Sequence, residues 1–147
     1  MSETQVTVRQ ARDADLRRVT REVLNGARTV PGIGSRVLGW LIPRPVLTRI
    51  YRWLIRTGRG EIWVAESSTA FAAVVLLRRG QHHLEAVDFV STGGMLGLVL
   101  ATRLLGRADA EGLTVLLGAR GHVRESYFRR LGFEPLSDGK MIRRPLS

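Results

Sequence analysis

The sequence has no cysteine and only one lysine, Lys140. Without thiols there can be no disulfide, no thiolate nucleophile and no Cys-ligated zinc, and the composition leans toward a reducing compartment. Histidine is nearly as scarce: His82, His83 and His122 show no ligand spacing, so no metal centre is expected. No stretch approaches the roughly 18 uninterrupted apolar residues of a spanning helix. The opening MSETQVTVRQ also lacks the apolar run of a signal peptide. The expectation is a cytoplasmic protein, neither exported by a signal peptide nor membrane-spanning. Internal repeats and low-complexity linkers are missing too, and 147 residues suit one domain over 1–147.

What is present is material for a core and an uneven positive charge. Hydrophobic residues make up 44% of the chain, which is the composition of a folded protein rather than a disordered one. Of the net charge of +10, most lies in residues 1–60, where 12 arginines face four acids (Glu3, Asp13, Asp15 and Glu22). A basic half suggests an anionic partner: nucleic acid, an acidic lipid surface or a phosphorylated ligand. Specific nucleic-acid binding is not expected, because no recognised motif is present and the aromatics do not form a stacking platform.

Hydrophobic spacing predicts the elements. TQVTVRQA alternates as a strand, and a helix follows with Asp13 as N-cap, Leu16, Val19, Val23 and Leu24 on one face, and Gly26 as its stop. Two further helical segments, 33–42 and 46–57, are separated by Pro43 and Pro45. The second places Val46, Leu47, Ile50, Tyr51 and Leu54 on one face and Arg49, Arg52 and Arg56 on the other, with Trp40 and Trp53 nearby. EIWVAES, AFAAVVLLRR and HLEAVDFV read as an antiparallel meander. Helical spacing returns in LGLVLATRLLGRADAEG, with Leu100, Leu104, Leu105 and Ala108 on one stripe and Gly112 as the stop. LTVLLGA then suits a strand buried on both faces. HVRESYFRRLG is a last helix, and FEPL and KMIRRPL are two strands. The order is β-α-α-β-β-β-α-β-α-β-β.

This order, the spacing from Gly97 to Gly112 and above all YFRRLGF at 127–133 make the chain resemble the GNAT acyltransferase family, whose last helix meets the sixth strand in an aromatic-x-x-Leu-Gly-Phe signature. The resemblance implies an α/β (α+β) fold with a mixed central sheet of about seven strands flanked by about four helices. It also implies transfer of an acyl group from acetyl-CoA, or another acyl-CoA, to an amine. In the family the pantetheine arm runs along the fourth strand, which makes Phe89 and Val90 backbone contacts here. Thr92, Gly93, Gly94, Met95, Leu96, Gly97 and Leu98 would form the pyrophosphate loop. Pyrophosphate chemistry suits a glycine-rich helix N-terminus, where backbone N–H groups converge and the dipole favours negative charge.

The chain departs from the family at three places. Its loop pattern Q/R-x-x-G-x-G/A keeps only Gly97 in register, with Met95 in place of a glycine and Thr92 in place of the cation. The tyrosine that protonates the departing thiolate in many members is replaced by Phe128. Tyr127, one residue earlier, is turned by about 100° around the helix; it is the candidate catalytic acid if the helix is rotated to suit, and otherwise a core or surface residue. Gly121 stands where the family often carries Asn. For the general base, Glu85 and Asp88 are candidates that alternation would place on opposite faces of their strand. His122, at the start of the last helix, is a cap neighbour or a catalyst.

In the family the first helices shape the acceptor site, and here that region is the basic stretch 33–57. It would repel a polycationic acceptor, so a small acidic or lipid-like amine is expected. The same stretch reads as an interfacial helix able to make peripheral membrane contact, or as a helix with its arginines simply in water. The alternative function is a catalytically impaired GNAT-like binding or regulatory module acting through this surface. Pairing of two copies stays open.

Overall fold

The structure, a computed structural model, describes residues 5–29, 43–92, 94–117 and 125–146. The expected helix over 33–42 with Trp40, and the positions Gly93, Gly121 and His122, lie outside the described residues. Seven strands form one sheet: β1 (Thr7–Gln10), β2 (Gly60–Glu66), β3 (Phe71–Arg78), β4 (His83–Ser91), β5 (Thr114–Leu117), β6 (Glu134–Pro135) and β7 (Met141–Arg143), in spatial order β1-β2-β3-β4-β5-β7-β6. All neighbours are antiparallel except β4 and β5, which run parallel because α3 (Gly94–Glu111) crosses over between them. The other helices are α1 (Leu16–Thr29), α2 (Arg44–Thr57) and α4 (Glu125–Arg130). The fold class is as the sequence predicts, and so is the element order among the described residues.

Each face of the sheet carries its own core. On one, Leu16, Val19 and Val23 of α1 and Tyr51 and Leu54 of α2 cover Ile62, Val64, Phe71, Ala73 and Val75. On the other, Leu96, Leu100, Leu105 and Ala108 of α3 lie over Val74, Leu76, Leu84, Ala86 and Val115, with Phe128, Leu131 and Phe133 beside them. Among the described residues no helix is long and apolar enough to cross a membrane.

Four local expectations are corrected. Asp13 does not cap α1; a short 3-10 turn, Asp13–Asp15, precedes the helix, and Asp15 Oδ2 accepts the Arg12 backbone N–H at 2.7 Å. The helix then passes through Gly26 to Thr29, since glycine ends a helix only when the chain turns left-handed there. β5 is buried on one face only, with Thr114 and Leu116 half-buried, because α1 and α2 pack over β4 and β2. Finally, α2 is rotated from the expected face: Thr48, Tyr51 and Leu54 are buried, whereas Val46, Ile50 and Trp53 are exposed. The Thr48 hydroxyl bonds that of Thr20 at 3.0 Å, so a satisfied polar pair occupies the contact with α1.

Candidate functional site

The site begins with an irregularity in β4. Val75 pairs with Asp88 and Leu76 with Ala86, so Val87 is one residue too many and forms a β-bulge. Residues directly opposite in a ladder share a face. Leu77 opposite Glu85 and Val75 opposite Asp88 both belong to the α1/α2 core. Glu85 and Asp88 therefore share that face, and the expectation of opposite faces fails because the bulge resets the alternation. The two carboxylates nevertheless differ. Glu85 is bonded by Arg79 Nε at 2.7 Å and lies where β4 is laddered to β5. Asp88 stands past the bulge, and its Oδ2 accepts a 2.8 Å hydrogen bond from the Tyr51 hydroxyl.

Among the described residues the β4–β5 ladder pairs His83–Ala86 with Thr114–Leu117. From Val87 to Ser91, β4 continues alongside β3, and α3 starts three residues later. The bulge and the helix N-terminus thus lie close together along β4. Gly97 brings them together: a Cβ there would meet Ser91 Oγ at 3.1 Å and Phe89 Cζ at 3.2 Å, so a glycine lets the first turn of α3 press against β4.

The loop residues divide by what they do. Thr92 is committed to β3, its N–H donating to Phe71 O at 2.8 Å and its hydroxyl accepting the Phe71 N–H at 2.9 Å. Leu96 is buried in the core, so only its backbone faces outward, while Met95 is 72% exposed. Leu98 and Val90 are half-buried. The N–H groups of Gly94, Met95, Leu96 and Gly97 open α3 and have no carbonyl four residues back within the helix.

Below α3 the core leaves a small apolar cavity of about 50 Å³ between the helix, the sheet and α4. Phe89, Phe128, Leu84, Ala86, Leu105 and Ala108 are among the side chains that line it. Phe128 meets Tyr127 and Phe133 edge-to-face, with ring centroids at 5.3 and 5.8 Å. Phe128 belongs to the cavity wall and Tyr127 does not. The YFRRLGF motif has a structural basis as well. Gly132, with φ +97°, ends α4; Phe133 is buried; and Arg143 Nε donates to Leu131 O at 2.8 Å while its guanidinium grips Asp109 twice.

Two features had no signature in the sequence. The bulge at Val87 involves neither glycine nor proline, and Tyr51 was legible only as one apolar position of α2. Tyr51 is 2% exposed, and burial first, then the Asp88 charge and hydrogen bond, push its hydroxyl pKa up, so it stays a donor. Among the described residues no group of three His, Asp or Glu side chains could hold a metal ion.

No protein-family model matches the sequence, and no curated protein matches it. Solved structures do. The chain is similar to an N-acetyltransferase from Staphylococcus aureus Mu50, at 16% identity and TM-score 0.69, over 94% of this chain and 95% of that one. A Salmonella typhimurium protein solved with its cofactor acetyl-CoA superposes with TM-score 0.70 at 18% identity, covering 97% and 95% of the two chains. The PaiA N-acetyltransferase of Thermoplasma acidophilum in complex with coenzyme A gives 0.68 at 14%, covering 95% and 99%. The mixed sheet of seven strands and the four helices among the described residues thus superpose on those of GNAT acetyltransferases, and this chain has the GNAT fold.

Proposed function

We propose that the protein is an N-acyltransferase that uses acetyl-CoA or another acyl-CoA. The observation that carries this reading is the packing of the α3 N-terminus against β4 just past the bulge at Val87, where Gly97 closes on Phe89 and Ser91. These features fit such a cofactor. The α3 N-terminus, Gly94 to Gly97, would hold the pyrophosphate, and Phe89 and Val90 would present backbone groups to the pantetheine amides. Leu98 and Phe128 would flank them. When bound, an acyl-CoA supplies a thioester carbonyl open to attack by an amine.

The remaining roles belong to the chain. Asp88 is the candidate base, because it lies on the α1/α2 face beside the bulge and holds a carboxylate that could take the proton an incoming ammonium must lose. Tyr51 positions it through the 2.8 Å hydrogen bond. Glu85, engaged by Arg79, serves the strand rather than the reaction. Tyr127, packed edge-to-face against Phe128 on α4, is the hydroxyl we assign to return a proton to a thiolate. The acceptor we favour is a small acidic or lipid-like amine. On α2 the exposed Val46, Ile50 and Trp53 fall at helical spacing beside Arg49 and Arg56, which suits an anionic, partly apolar molecule or an anionic lipid surface.

A second reading is a binding or regulatory module, favoured by Phe128 in the cavity wall and by the engagement of Thr92 with β3. Calorimetry and thermal shift with acetyl-CoA and free CoA separate the two. Saturable binding, followed by acyl transfer in an amine screen, supports the enzyme. Absence of any shift at millimolar ligand with folded protein overturns it.

A further inference from the structure

The outer face of the α1/α2 pair combines two properties that packing does not use. On α2 the side turned away from Thr48, Tyr51 and Leu54 carries Val46, Ile50 and Trp53, exposed to 43, 40 and 49%. Spaced four and three residues apart, they form one apolar stripe along the helix. The Arg59 guanidinium lies 5.4 Å from the Trp53 ring. Beside the stripe runs a band of positive charge. Thr48 bonds Thr20 and Arg52 bonds Asp13, so α1 lies antiparallel on that side of α2, and the exposed Arg49 and Arg56, neighbours of Arg52 on the helix surface, fall between the stripe and α1. Across from them α1 presents Arg17, three residues before Thr20, and Arg21 one turn later, both exposed. No acid occurs in α2, and Glu22 is the only one in α1. Among the described residues Arg17, Arg49 and Arg56 form no salt bridge.

We propose that this face docks on a bilayer of anionic phospholipid, with α1 and α2 lying along its surface. The inference goes beyond the acyltransferase reading and does not depend on it. An exposed apolar stripe beside a cationic band matches both layers of a membrane interface: Val46, Ile50 and the Trp53 indole enter the acyl boundary, while the guanidinium groups meet lipid phosphates. Charge complementarity selects this occupant over the alternatives. A nucleic acid offers nothing to Val46 and Ile50, and one exposed indole is not a stacking platform. A second copy of the chain, related by a two-fold axis, would set the arginine band against itself.

The test is co-sedimentation of the full chain with vesicles of phosphatidylcholine alone and of phosphatidylcholine mixed equally with phosphatidylserine. Partitioning onto the mixed vesicles is expected to be at least about tenfold stronger than onto the neutral ones, and to weaken as salt is added. Ile50→Ser combined with Trp53→Ser should lower it about tenfold through the lost apolar area. Arg49→Gln combined with Arg56→Gln should lower it by about the same factor. All four side chains are exposed, and the urea midpoint of each double variant checks that it is folded. No binding to either vesicle, or equal binding to both, overturns the inference. Loss with the arginine pair but not with the Ile50 and Trp53 pair overturns it too, because attraction by charge alone fits a nucleic acid as well. Dimerisation abolished by the Ile50 and Trp53 pair, without vesicle binding, assigns the stripe to a second copy instead.

Discussion

On the α1/α2 face the sheet is closed by fully buried Leu16, Val19, Ile62, Val64 and Phe71 and by polar contacts that are each satisfied, Thr48 on Thr20 and Tyr51 on Asp88. On the α3/α4 face the side chains are just as apolar, yet they leave a cavity of about 50 Å³. The same sheet therefore carries a polar-pinned, fully packed side and a less completely filled apolar one. Packing is finished on the first by hydrogen bonds between side chains, and on the second by shape alone.

The largest expected effect lies on the polar-pinned face. Asp88→Asn should lower kcat/KM for transfer to an acceptor by about a hundredfold or more, the usual range for losing a general base. Acetyl-CoA affinity measured by calorimetry should not change, and an equal loss of both would place Asp88 in binding instead. Tyr51→Phe should cost about tenfold in kcat/KM and about 1 kcal/mol in stability, and a stability loss with unaltered turnover would make the hydrogen bond purely structural.

The packing contrast can be broken with one chemistry on both faces. Leu16→Ala, in the fully packed core, should cost about 4 kcal/mol, and Leu105→Ala, beside the cavity, about 2 kcal/mol, since less surrounding contact is lost where space already exists. Urea unfolding of both variants decides it, and equal costs would mean that the cavity is filled in solution.

Ion pairs bind the edges of both faces, and they make stability depend on pH. A hydrogen bond from Arg9 holds Asp15 below the ordinary carboxylate range, and one from Arg143 does the same for Asp109. At Glu61, burial pushes the pKa up, but hydrogen bonds from Arg107 and Trp63 more than offset it, and the net direction is down. A carboxylate whose folded pKa is depressed contributes stability above its unfolded value, about 4, and that contribution is lost as pH falls through the lower folded value. The urea midpoint should therefore hold from neutral pH down to about pH 5 and fall below about pH 4. Glu61→Gln should cost about 2 kcal/mol at neutral pH, less than a fully buried pair because Arg78 and Arg107 reach solvent, and should flatten part of the acid slope.

Gly97→Ala is the smallest. Crowding against Ser91 and Phe89 is partly offset by the better helix propensity of alanine, leaving a net cost of about 1 kcal/mol or less. A larger effect on acetyl-CoA affinity than on stability would tie this close approach to the cofactor.

Much of the fold was legible in the residues themselves. Leu16, Val19, Val23 and Leu24 fall at helical spacing and are all buried, and the meander of β2 to β4 shows as three apolar runs between short turns. Such patterns survive folding because burial acts locally on each element's period. The candidate site was legible in outline only. YFRRLGF marked α4 and its stop, and Gly97 marked the start of α3, but the role of each depended on its neighbours. The rotation of α2 turned on Thr48 finding Thr20, 28 residues away in sequence, which no periodicity can register.

The sequence by itself determined the order of the elements, the two apolar faces and the arginine-rich first half, because composition and period are properties of the chain alone. Only the tertiary structure decided that Glu85 and Asp88 share a face and that Tyr51 holds Asp88. Both depend on a register between distant segments: Val75 opposite Asp88 and Leu76 opposite Ala86. Register is set by the packing of the whole sheet, so a single extra residue at Val87 could move a carboxylate from one face to the other without leaving a mark in the sequence.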